Sequence, residues 1–161
     1  MIDNRKWNTG AELIRHRARL EQFIKQHNVE KDKWGRLLLY KAVNRGRYPW
    51  EWATSSEDKE YQNKLMGPAP YRDGCLASTE NFERDPYKLC APGLHAGTLD
   101  CAKRFCCVAT PIIIQVAIWL EDVVCVPHKA LDPDIECFAN ENYKIRCKRL
   151  YVVGEVYDNG Y

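Results

Sequence analysis

The sequence predicts an α+β domain, an N-terminal helix packed on a mixed or antiparallel sheet beside one long irregular loop. Three observations predict it. Thr9-Gly-Ala-Glu12 is a capping box that opens a helix. Pro111-Ile-Ile-Ile-Gln-Val-Ala-Ile-Trp-Leu120 is an apolar, largely β-branched run of strand character. From Tyr143 to Tyr157 apolar and charged residues alternate with period two and then slip in phase, which predicts a bulge or two successive strands.

The helix is expected over 9–28. Leu13, Leu20, Phe23 and Ile24, with Ala18, recur at helical spacing on one face, and Asn28 suits a C-terminal cap. Arg15, Arg17 and Arg19 read as a solvated face, because Glu12 and Glu21 flank them and no second basic element extends them. Arg36-Leu-Leu-Leu-Tyr-Lys-Ala-Val43 lies between Gly35 and Asn44-Arg-Gly46 and reads as a buried strand. Glycine and proline then punctuate residues 44–92 too often for long regular elements. Tyr48, Trp50, Trp52, Tyr61, Tyr71 and Tyr87 give that segment partial order, either by covering the core or by folding over a ligand.

The remaining elements are short. Leu94-His95-Ala96 is extended, and Thr98 caps a helix whose apolar face is Leu99, Ala102, Phe105 and Cys106. Asp122-Val-Val-Cys-Val-Pro127 continues the sheet. At 161 residues one domain is expected, with a sheet-containing core over 37–157.

Composition narrows the partners. Net charge is +2 with 29% charged residues, so no strong field favours nucleic acid or an anionic membrane. The longest apolar run is about half the length of a membrane-spanning helix, so no span is expected. The first residues lack a secretory pattern, and a cytoplasmic chain is expected. Its eight cysteines then read as reduced thiols. They include no C-x-x-C pair and the histidines no H-x3-H, so no metal site is expected.

His95 is the main candidate for function. It stands between Gly93 and Gly97 at a strand-to-helix junction, where unpaired N–H groups favour an anion and glycines let backbone approach closely. A histidine filling a core gap fits the same spacing. Cys90 or Cys101 with His95 or His128 forms no recognisable nucleophile pair, and the sequence holds neither a phosphate loop nor a dinucleotide fingerprint.

Leu39-Tyr-Lys-Ala-Val43, Cys90-Ala-Pro-Gly-Leu-His95, the Ala102 helix, Val123-Val-Cys-Val-Pro127 and Ile145-Arg-Cys-Lys-Arg149, in that order, resemble a small phage and bacterial domain. The domain is similar to the C-terminal region of the phage rapid-lysis protein family and to one attached to pentapeptide-repeat proteins. The resemblance spans about residues 37–157 and implies a phage or bacterial origin without an activity.

A second similarity is to the ADP-ribosyltransferase superfamily. Tyr40-Lys41 stands at its first motif, Gly93-Leu94-His95 at its second and Glu155 at its third, although Lys41 replaces the usual His or Arg and no Ser-Thr-Ser or Glu-x-Glu motif occurs. The resemblance implies an NAD-like cofactor in a cleft lined by Tyr40, Lys41, Gly93, His95 and Thr98, with Glu155 and His95 as catalytic residues. A carboxylate there would stabilise the oxocarbenium ion formed as nicotinamide leaves. Glu51, Glu136 and Glu141 are alternative acids. The other function open at this point is a non-catalytic accessory module that binds a host protein through aromatic residues of the 44–92 loop.

Overall fold

In the computed structural model, residues 2–44, 71–88, 91–104, 111–127 and 144–156 are described. They form an α+β fold: helix α1 (Gly10–Gln26), strands β1 (Leu37–Asn44), β2 (Leu76–Ser78) and β3 (Leu94–Gly97), helix α2 (Leu99–Arg104), and strands β4 (Pro111–Ile118), β5 (Val123–Cys125), β6 (Lys144–Cys147) and β7 (Arg149–Glu155). The seven strands make one sheet in the order β2-β7-β4-β1-β3-β6-β5, and every neighbouring pair is antiparallel.

Helix α1 begins at the predicted cap. The Thr9 hydroxyl accepts the N–H of Glu12 at 3.3 Å. The Glu12 carboxylate pairs with Arg15 at 2.8 Å, one turn on. At the other end Asn28 adopts φ +50°. Its N–H reaches the carbonyl of Lys25, and that of Val29 reaches Ile24, a Schellman closure that satisfies the last carbonyls. Leu20 and Phe23 are buried in the core, with Ile24 and Val29 packed against it. Leu13, expected on that apolar face, is 44% exposed, and Ala18 is exposed too. The helix outruns the core it covers.

Strand alternation divides the sheet into two faces. On the first, Leu37, Leu39 and Val43 of β1 stand opposite Ile118, Val116 and Ile112 of β4, joined by Leu94, Ala96, Ile145, Cys147, Leu150 and Val152 in the core beneath α1. The second carries Leu38, Tyr40 and Ala42 opposite Ala117, Gln115 and Ile113, with His95 and Arg146 paired across β3 and β6. Removing that apolar surface from water is the main stabilising term, at about 25 cal/mol per Å².

The phase slip in the sequence has two physical sources. The chain breaks at Lys148 between β6 and β7. Strand β7 then shifts register against β4 between Gln115 and Val116, where Val153 is the extra residue. Strand β2 lies inside the segment expected to lack long regular elements, and at three residues it stays within that limit. Tyr48, Trp50, Trp52 and Tyr61 lie outside the described residues.

Arg36 closes the turn that leads into β1. Its guanidinium pairs with Asp32 at 2.7 Å and lies 5.0, 5.9 and 5.2 Å from the rings of Trp34, Trp119 and Tyr151. The cation is held by aromatic faces from strand β7, the residue after β4 and a turn, a stacking role that lysine fills poorly.

Candidate functional site

The site grows from one buried cation. Arg146, in the middle of β6, has no solvent exposure. A charge in that position must be solvated by the protein, because an unpaired buried ion costs several kcal/mol. Its Nη1 donates to the carbonyls of Glu83 at 2.7 Å and Asp85 at 3.3 Å and to Cys125 Sγ at 3.3 Å. Its Nη2 donates to the carbonyl of Lys88. Its Nε donates to Nε2 of His95 at 3.2 Å. One side chain thus ties segment 83–88 to the sheet.

His95 serves that cation. Burial, followed by the positive charges of Lys41, Lys144 and Arg146, pushes its pKa down to about 2. The ring is therefore neutral, with Nε2 as acceptor and the proton on Nδ1. Gly93 makes the approach possible. It adopts φ +136°, and a Cβ there would lie 2.6 Å from Arg146 Cγ and 2.8 Å from Cδ. Gly93→Ala is expected to destabilise the fold by about 2 kcal/mol through overpacking and backbone strain, measured by chemical denaturation. A loss below about 0.5 kcal/mol would show that the Arg146 stem can move aside.

The other sequence candidates are dispersed. Tyr40 shares the face of His95, where its hydroxyl meets Gln115 Nε2 at 3.5 Å. Thr98 caps α2, its hydroxyl accepting the N–H of Cys101 at 3.2 Å. Lys41 projects from the opposite, core-side face and donates to the carbonyl of His95 at 2.8 Å, with the Tyr71 ring 5.3 Å away. Glu155 pairs with Ile114 and so lies on the face of Lys41, two strands away. The sheet separates the Glu155 and His95 side chains. Glu51, Glu136, Glu141, Cys90 and His128 lie outside the described residues.

What Arg146 holds in place is the wall of a cleft. The first half of α1 runs along edge strand β5, and segment 84–87 closes the third side. The cleft is shallow, with a cavity of about 30 Å³ at its base. Val124, Cys125 and Val126, all buried, form an apolar floor. Trp7 and Tyr87 stand edge to face with ring centres 6.1 Å apart, and Tyr87 remains 44% exposed. Arg15, Arg19 and Arg84 supply guanidinium groups, and that of Arg19 lies 5.9 Å from the Tyr87 ring. Asn4 fixes the wall from outside, its Oδ1 accepting the N–H of Arg84 at 2.9 Å and its Nδ2 donating to the carbonyl of Phe82 at 2.9 Å.

His16 lines the same cleft. Burial first, then the charges of Arg84 and Arg17, hold its pKa below the ordinary value, against a hydrogen bond to the Val123 backbone that favours the charged form. It contributes a polar neutral surface.

Sequence reasoning missed Arg146, because in Lys144-Ile-Arg-Cys147 it occupies the position that alternation assigns to solvent. It also missed the convergence of Trp7 with Arg84 and Tyr87, which lie far from it in the chain.

Cys75, Cys101, Cys125 and Cys147 are free thiols. Burial raises the pKa of Cys125 to about 11 and that of Cys147 to about 12, so neither is a thiolate nucleophile at neutral pH. Among the described residues no cluster of His, Cys, Asp or Glu could hold a metal ion, and no helix is long and apolar enough to cross a membrane. No family model, curated protein or solved structure matches the chain.

Proposed function

We propose that this domain is a non-catalytic binding module that docks a protein partner in the cleft between α1, β5 and segment 84–87. One observation carries the reading. The buried polar machinery of the second sheet face, Arg146 with His95, is bonded to the backbone of the segment that presents Tyr87 and Arg84. A wall fixed in this way binds without the entropic cost of ordering a loop. Its exposed residues are of the types that dominate interface energetics, tyrosine and arginine around a desolvated apolar floor. Tyr87 also belongs to the 44–92 segment whose aromatics the sequence marked for partner contact.

The reading differs from an NAD site in which residues carry the effect. Selection of a displayed dodecapeptide library against the folded chain, with Tyr87→Ala as the counter-selection, tests it. Binders are expected to lose roughly tenfold in affinity, about 1.4 kcal/mol, on Tyr87→Ala, with little change in melting temperature. NAD is expected to give no binding heat in calorimetry. NAD binding that His95→Gln abolishes and Tyr87→Ala leaves intact would overturn the module in favour of an ADP-ribosyltransferase-type site.

A further inference from the structure

We infer that the segment taken by this cleft is acidic, with carboxylates flanking one bulky apolar anchor. The inference rests on the binding-module reading and specifies its ligand. Among the described residues, three arginines, Arg15, Arg19 and Arg84, line the cleft against two carboxylates, Glu12 in the lining and Asp85 in the wall segment. Glu12 is already engaged, 2.8 Å from Arg15, and Asp85 accepts the N–H of Tyr87 at 2.9 Å. His16 brings no negative charge. The described residues around the cleft are therefore net positive in a chain whose overall charge is only +2. Such a local excess steers and holds an anionic partner where the net charge of the molecule would not.

The arrangement also separates the two chemistries. The apolar floor of Val124 and Val126 is buried, whereas Tyr87 and Arg15 of the lining are exposed and Trp7, Arg19 and Arg84 half-buried. An apolar side chain laid across the mouth beside Tyr87 and Leu13 buries apolar surface, and neighbouring Asp or Glu residues meet Arg84 and Arg19. A nucleotide fits less well. Trp7 and Tyr87 pack edge to face against each other, so no slot is open between them for a base. At the start of α1 the Thr9 hydroxyl already takes the N–H of Glu12.

The dodecapeptide selection distinguishes the outcomes. Tyr87-dependent binders are expected to combine an apolar anchor with two or more acidic residues. Their affinity is expected to fall roughly tenfold on Arg84→Ser, and again as salt rises to about 0.5 M. Neutral or basic Tyr87-dependent binders, insensitive to salt and to Arg84→Ser, would overturn the acidic inference and leave the binding module standing. A library with no Tyr87-dependent binders would remove the module itself, and the inference with it. A mixed-sequence single-stranded RNA dodecamer that displaces selected peptides with higher affinity would make nucleic acid the occupant and overturn the inference.

Discussion

Replacing Arg146 with alanine is expected to cost about 3–5 kcal/mol of stability, from several stranded buried acceptors and the cavity left by its side chain. The loss has two sources. The carbonyls of Glu83, Asp85 and Lys88 and Nε2 of His95 are left without their donor, and a buried acceptor without a donor costs about 1–3 kcal/mol. The guanidinium and its stem, enclosed at zero exposure, also leave a cavity. For a domain of this size the melting temperature should fall by roughly 10 °C. Arg146→Lys is expected to recover less than half of the loss, because an ammonium has three donors from one point and cannot reach carbonyls spread around a planar fork.

The location of the damage separates this account from a general core defect. Amide hydrogen exchange in Arg146→Ala is expected to rise first in segment 83–88, before the β1–β4 centre of the sheet opens. Binding in the cleft should be lost with it, even at temperatures where the fold persists, because Tyr87 and Arg84 no longer have a fixed wall. A stability loss under about 1 kcal/mol, or exchange that rises uniformly, would show that the segment is held by other contacts such as Asn4 with Phe82 and Arg84.

The sequence yields most of the fold because the fold is written in local patterns. The Thr9 cap, the Leu20 and Phe23 stripe, the β-branched run of β4 and the alternation of β6 each follow from rules spanning a turn of helix or two residues of strand. The antiparallel sense of every strand pair is beyond those rules. Pairing order is decided by contacts remote in sequence, such as His95 opposite Arg146, 51 residues apart. The candidate site fails to appear for the same reason. Arg146 has the spacing of a solvated residue and becomes buried only because β5 and segment 83–88 close over it. His95 is legible as unusual, between two glycines, but Gly93 makes room for an arginine stem, a reason that emerges only when β6 is laid beside β3.

The neutral state of His95 should be visible as a pH dependence of stability. In the folded chain its pKa is pushed down to about 2, and in the unfolded chain the ring titrates near its ordinary value of 6.5. Above pH 6.5 both states carry the neutral ring and the contribution is constant. Below it the unfolded chain binds one proton more than the folded chain, so stability falls as pH falls, by about 1.4 kcal/mol per pH unit, until the folded pKa is reached. His16 acts in the same direction, since its pKa is also held low, so the measurement must be a difference. His95→Gln keeps an acceptor for Arg146 Nε and removes the titration. The variant is expected to be about 1 kcal/mol less stable than wild type at pH 7, the worth of one imperfectly replaced hydrogen bond. Its stability should fall less steeply with acid, so that the two curves cross roughly one pH unit below the unfolded-state pKa. Denaturant titrations of both proteins between neutral and mildly acidic pH measure this directly. Parallel curves would mean that His95 accepts a proton in the folded state, which is incompatible with Nε2 receiving the Arg146 N–H and would return the histidine to the solvent or a ligand.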